Sequence, residues 1–123
     1  MNWTAVAAIL LALAVTLGAF GAHALQGRLD DYSRGVYEKA VFYHFIHALG
    51  LLGVSMMPRA GLLAPPASSW VCGLLCAGMI LFCGSLYILA ITGIRTLGAI
   101  TPFGGVSFIA GWCLLAFATV RRK

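Results

Sequence analysis

Apolar and polar positions alternate on a long scale in this chain: four extended apolar segments are separated by three short polar ones. The apolar runs cover about residues 3–22, 40–57, 70–92 and 101–120. Each approaches the ~20 residues that carry an α-helix across a hydrocarbon core of roughly 30 Å. The breaks between them carry helix punctuation. Residues 23–39 hold Arg28, Asp30, Asp31, Arg34, Glu38 and Lys39, whose charges cancel. Leu29, Tyr32, Val36 and Ala40 are spaced for one helical face, which predicts a short interfacial helix running into the second span. Residues 58–69 contain Pro58, Gly61, Pro65 and Pro66 and read as a loop, with Ser69 as N-cap of the third helix. The link from Gly93 to Gly98 is so short that spans three and four must be antiparallel neighbours. Thr101 followed by Pro102 reads as N-cap and first helical residue of the fourth span.

The predicted fold is therefore all-α: a four-span transmembrane helical bundle forming one membrane domain over residues 1–123. A cleavable signal peptide is the competing reading of the first segment, because Ala22-His23-Ala24 resembles a small-x-small site. No Lys or Arg precedes the run, however, and the run is longer than a usual signal core. Small residues offer close helix contact along each span. The positions are Ala14, Gly18 and Ala22, then Gly73, Ala77, Gly84 and Ser85, then Gly104, Ser107 and Gly111.

Composition sharpens this picture. The chain is 62% hydrophobic and 9% charged, against about 25% charged residues in an ordinary soluble domain. Polar groups could not cover its apolar surface, so lipid must. The net charge of +5 is scattered over loops and a tail. No basic face with interleaved aromatics exists, so nucleic acid is not an expected partner and anionic headgroups are the natural counter-charge. Cys72, Cys76, Cys83 and Cys113 all lie inside apolar segments, which is no disulfide framework. Four spans put both termini on one side. Basic residues tie across the membrane, with Arg59, Arg121, Arg122 and Lys123 on the terminal side and Arg28, Arg34, Lys39 and Arg95 on the other. The dense C-terminal cluster tips the expectation towards cytoplasmic termini.

Candidate chemistry gathers at the end away from the termini. At 3.6 residues per turn, Tyr37, Ala40, His44, His47 and Leu51 share one stripe of the second span. His23, Ser85, Tyr87, Thr92, Arg95 and Thr101 belong to the same end, and the other end reads as nearly pure hydrocarbon. Intramembrane polar groups usually face a bundle interior or a wet cavity. The functional reading is a ligand or partner pocket lined by His23, Tyr43, His44, His47, Ser85, Tyr87 and Thr101, with Glu38 or Arg95 at its rim. The plainer reading satisfies the same His and Tyr side chains with headgroups and water at interface depth. Histidine serves as metal ligand, haem ligand or proton acceptor, but His44-x-x-His47 has no third ligand beyond His23. Cys72, Cys76, Met79 and Cys83 share a face that suits Cu(I) or, more simply, packing. Asp and Glu occur only in the first connection, and no metalloprotease, phosphate-loop or Ser-His-Asp pattern is present.

Several short motifs, in order, resemble one family. Gly18-Ala-Phe-Gly-Ala-His-Ala-Leu25, the Tyr43 to His47-Ala-Leu49 stretch, Gly84-Ser-Leu-Tyr87, Thr101-Pro-Phe-Gly-Gly105 and Gly111-Trp112 look like the membrane proteins of domain-of-unknown-function family 423, which includes relatives of eukaryotic transmembrane protein 256. The resemblance spans nearly the whole chain. It implies a multi-pass protein of the bacterial inner (plasma) membrane, with no biochemical activity or cofactor assigned. In the family pattern His44 is usually Gln and Cys83 usually Ser, which favours His23 and His47 as functional positions. The leading expectation is a structural or accessory membrane protein that binds lipid or a membrane-protein partner, or assembles with itself. The alternatives are a small redox protein with a His-lined metal or haem site, and a small oligomeric transporter.

Overall fold

The computed structural model describes residues 1–122; Lys123, the end of the basic cluster, lies outside them. Four long helices account for almost all of the chain. Helix α1 runs Trp3–His23, and the Asn2 side chain caps it by accepting from the Ala5 N–H at 3.0 Å. A turn through Gly27, at φ +77°, leads to α2, Asp31–Met56. Asp30 caps α2, its carboxylate accepting from the Ser33 N–H at 2.7 Å. That bond holds the Asp30 carboxyl below the usual carboxylate range.

The expected interfacial helix is not a separate element. Its residues form the turn after α1 and the opening turns of α2, which continues unbroken for 26 residues. No proline interrupts residues 31–56, and the apolar stripe begins at Tyr37, before the charges end. Tyr37, Ala40, His44, His47 and Leu51 are all buried on that stripe.

The third membrane helix, α3, spans Pro65–Thr92. It starts five residues before the expected Trp70. Pro65 and Pro66 occupy its first turn, where the missing N–H would have had no helical partner. Ser69 is consequently an exposed residue inside the helix and not its cap. A π-helical turn covers Met79–Cys83, closed by the Gly84 N–H bonding to the Met79 carbonyl. Gly93, at φ +73°, ends α3 in the left-handed conformation that glycine adopts without strain. A 3₁₀ turn over Arg95–Ala99 then leads to α4, Thr101–Arg121. Thr101 is the first helical residue, and Ile100 before it offers no side-chain cap, which corrects the expected N-cap.

Helices α2 and α3 form the central pair; α1 lies along α2 and α4 along α3. The core joins Ala48, Leu51 and Val54 of α2 to Val71, Leu75, Met79 and Cys83 of α3, with Ala7 from α1 and Phe108 from α4. Large apolar side chains, including Ile9, Val15, Phe103, Ile109 and Phe117, point outward. On four helices long and apolar enough to cross a membrane, that outward surface belongs against lipid.

Glycines set how closely α4 approaches α3. A Cβ placed on Gly104 would stand 2.7 Å from the Cα and Cβ of Phe82, and one on Gly111 would stand 3.2 Å from Leu75. Gly18 meets Val41 at an ordinary 3.5 Å. Gly84, expected to pack against a neighbour, has nothing within 4 Å of its Cβ position, and neither has Gly73. The buried phase of α3 runs through Ser68, Leu75, Met79 and Leu86, so the Gly73–Ala77–Gly84 stripe lies off it. Gly78, on the buried phase, receives the Phe108 ring instead.

Candidate functional site

The polar side chains of the bundle interior bond to one another and to backbone carbonyls. His44 is 5% exposed, and its Nδ1 lies 2.9 Å from the Tyr87 hydroxyl on α3. The Tyr87 ring meets Tyr37 edge-on, centroids 5.3 Å apart. Tyr37 in turn donates its hydroxyl to the Leu17 carbonyl of α1. One continuous run of contacts therefore ties α1, α2 and α3 together. Among the described residues the His44 Nε2 has no hydrogen-bond partner.

His47 is engaged differently. Its Nδ1 lies 2.9 Å from the Tyr43 carbonyl. A carbonyl only accepts, so Nδ1 carries the proton. The ring stacks on Phe108 with centroids 3.6 Å apart and an interplanar angle of 16°, and Trp112 stands at 5.8 Å. Ser85, on α3, lies 3.0 Å from the Phe82 carbonyl and 2.6 Å from the Thr101 hydroxyl. With one hydroxyl proton, Ser85 donates to the carbonyl and accepts from Thr101. The Thr101 side chain thus fastens the start of α4 to α3, in place of the capping role its position suggested.

The structure brings the expected pocket residues together only in part. His44, Tyr87, His47 and Tyr43 form packed contacts in the interior, and Ser85 pairs with Thr101. His23 is exposed in the last turn of α1. Tyr37 packs near that end against Gly21, and His47 lies a further ten residues, about 15 Å, along α2. The two histidines singled out by the family resemblance therefore stand apart. Arg95 sits over the Tyr32 ring, 4.2 Å from its centroid. Among the described residues, no three His, Cys, Asp or Glu side chains gather where they could hold one metal ion. Of the sulphur stripe, Cys72 and Cys83 are buried in the core.

Three further hydroxyl bonds involve residues that the sequence pattern does not mark as a polar cluster. Thr4 and Ser55 hydroxyls pair at 3.0 Å, Ser68 donates to the Val54 carbonyl at 3.2 Å, and Ser107 donates to the Leu74 carbonyl at 2.6 Å. Each joins two helices. Ser107 stood out only as a small residue between two glycines; its hydrogen-bonding role depends on how closely α4 approaches α3.

A groove of about 740 Å³ opens elsewhere, between α1, α2 and the turn joining them. Gly18, Ala22, Val41, Phe42, Phe45 and Ile46 form its apolar wall, and Gln26, Arg34 and Glu38 stand at its polar end. None of the histidines lines it. Phe42 and Ile46 are 60% and 43% exposed, so the wall faces outward, towards lipid.

The family described as "Protein of unknown function (DUF423)" matches residues 17–105, which includes the groove, the His44–Tyr87 contact and the Ser85–Thr101 bond. The chain belongs to the DUF423 family. DUF423 relatives with the name UPF0382 membrane protein are closely similar. One from Staphylococcus epidermidis is 47% identical over 112 residues, covering 89% of this chain and 87% of its own. One from Staphylococcus haemolyticus is 47% identical over 109 residues, with the same coverage. The Bacillus subtilis UPF0382 membrane protein YwdK is 47% identical over 111 residues, covering 89% and 88%. No solved structure matches this DUF423 chain. The family description and the relatives' names give a membrane protein without a stated activity, and the four long apolar helices make it a multi-pass helical one.

Proposed function

We propose that this DUF423 protein is a structural or accessory protein of the bacterial plasma membrane that binds lipid in the groove between α1 and α2. The observation that carries the reading is the division of labour among its polar groups. The buried ones hold helices to each other, whereas Gln26, Arg34 and Glu38 stand at the mouth of an outward-facing apolar groove, Arg34 held only by an exposed pair with Asp31. A wall of hydrocarbon depth beneath a charged rim matches the order of an acyl chain and a headgroup. In this reading both termini lie on one side of the membrane, and the C-terminal arginines favour the cytoplasm for it.

Native mass spectrometry of the protein released from nanodiscs tests lipid binding. Wild type should retain one lipid at collision energies that strip loosely held ones. Ala22→Trp, which fills the groove from an exposed position, should lose it. Equal retention by the two proteins would overturn the proposal.

A further inference from the structure

The rim of the groove carries both signs of charge on one face of one helix. Arg34 and Glu38 both line it, one helical turn apart, about 6 Å along the axis. They are not paired with each other. Among the described residues the one ion pair is Arg34–Asp31, at 3.8 Å, with side chains 54% and 102% exposed. Such a pair is weak and exchangeable. Among the described residues Glu38 has no cationic partner, although an i, i+4 arginine is placed to supply one. Below this rim the wall turns apolar through Val41, Phe42 and Phe45.

We infer that the groove selects a zwitterionic phospholipid with a primary amine in its headgroup, its phosphate on Arg34 and its ammonium on Glu38. This rests on the lipid-binding reading above and adds the headgroup class. Guanidinium recognises phosphate oxygens through paired N–H donors. A primary ammonium donates N–H bonds to a carboxylate. A choline headgroup has the same phosphate but no N–H to give Glu38. A glycerol headgroup leaves the lipid anionic and sets its charge beside Glu38 and Asp31. Of the three headgroups, only the amine-bearing zwitterion meets both rim charges with opposite charge and N–H donation to Glu38, and it leaves the apolar wall to an acyl chain.

The test is competitive native mass spectrometry with phosphatidylethanolamine, phosphatidylcholine and phosphatidylglycerol of identical acyl chains. Wild type should retain the ethanolamine lipid over the choline lipid by roughly two- to fivefold, the worth of a half-exposed charged pair. Glu38→Gln should bring that ratio to about one by lowering ethanolamine-lipid retention more than choline-lipid retention; Arg34→Gln should lower retention of all three. Both positions are exposed on the helix, and circular dichroism would verify that each variant keeps its helix content. A wild-type ratio near one, a ratio that Glu38→Gln does not move, or preference for the glycerol lipid overturns the headgroup assignment. If Ala22→Trp abolishes retention while wild type holds all three lipids equally, lipid binding stands and the headgroup class falls. If Ala22→Trp retains lipid as wild type does, the groove reading itself falls.

Discussion

His44 shows how a single polar residue can organise an apolar interior. Its Nδ1 reaches Tyr87 on the neighbouring helix while its Nε2 stays without a partner. Burying a polar atom in that state is costly, and the Tyr87 bond is what the site offers in return. Tyr87→Phe should therefore destabilise the bundle. His44→Phe with Tyr87→Phe should recover much of the loss, because both partners become apolar groups of similar shape. A double-mutant cycle in mixed micelles should give a coupling of about 0.6–1.7 kcal/mol, the range such bonds show in membranes. Strictly additive single effects would mean that the contact carries no energy. The histidine stripe was legible in the sequence, since its spacing alone put His44 and His47 on one face. Their different partners were not, since Tyr87 and Phe108 come from helices distant in the chain.

At the scale of helices, α3 and α4 meet through missing side chains. Gly104 lets the backbone of α4 settle on Phe82, and Ser107 then reaches the Leu74 carbonyl. Gly104→Ala should force the pair apart at about 1–3 kcal/mol, the usual cost of overpacking. Gly84→Ala should leave stability unchanged or slightly raised, because its Cβ meets open space and alanine favours the helix. Thermal unfolding of the two variants in one detergent separates them; equal losses would contradict this packing. Both glycines sit in small-residue stripes of similar appearance. The sequence offered no way to choose between them, because a small residue suits a helix contact and a lipid-facing surface alike.

The whole molecule is a bundle whose strongest polarity lies at two ends and whose outer belt is hydrocarbon. The turns after α1 and α3 form one end, and the connection between α2 and α3 belongs to the other. With the native cysteines replaced, single cysteines introduced at Gln26 and Thr96 should react with an impermeant maleimide on intact cells. Those at Ala60 and Arg122 should react only after lysis. The reverse pattern would place the termini outside, and reaction of all four on intact cells would contradict the membrane-spanning arrangement. Lipid held in the groove belongs to this scale too, since the site exists only where α1, the turn and the start of α2 converge.

The sequence by itself determined residence in lipid, four spans and an all-helical fold. Run length, the scarcity of charge, and the prolines and glycines between runs are local properties that survive without a structure. Helix limits near Pro65 and Asp31 shifted because proline in a first turn, and charge on an opening turn, are compatible with helix. Tertiary structure alone decided which small residues touch, which hydroxyls and imidazoles pair, and where a groove opens. The physical reason is the solvent. In water, an amphipathic stripe marks the inside of a helix; in a bilayer, lipid and protein interior are equally apolar, so hydropathy barely distinguishes one face from another.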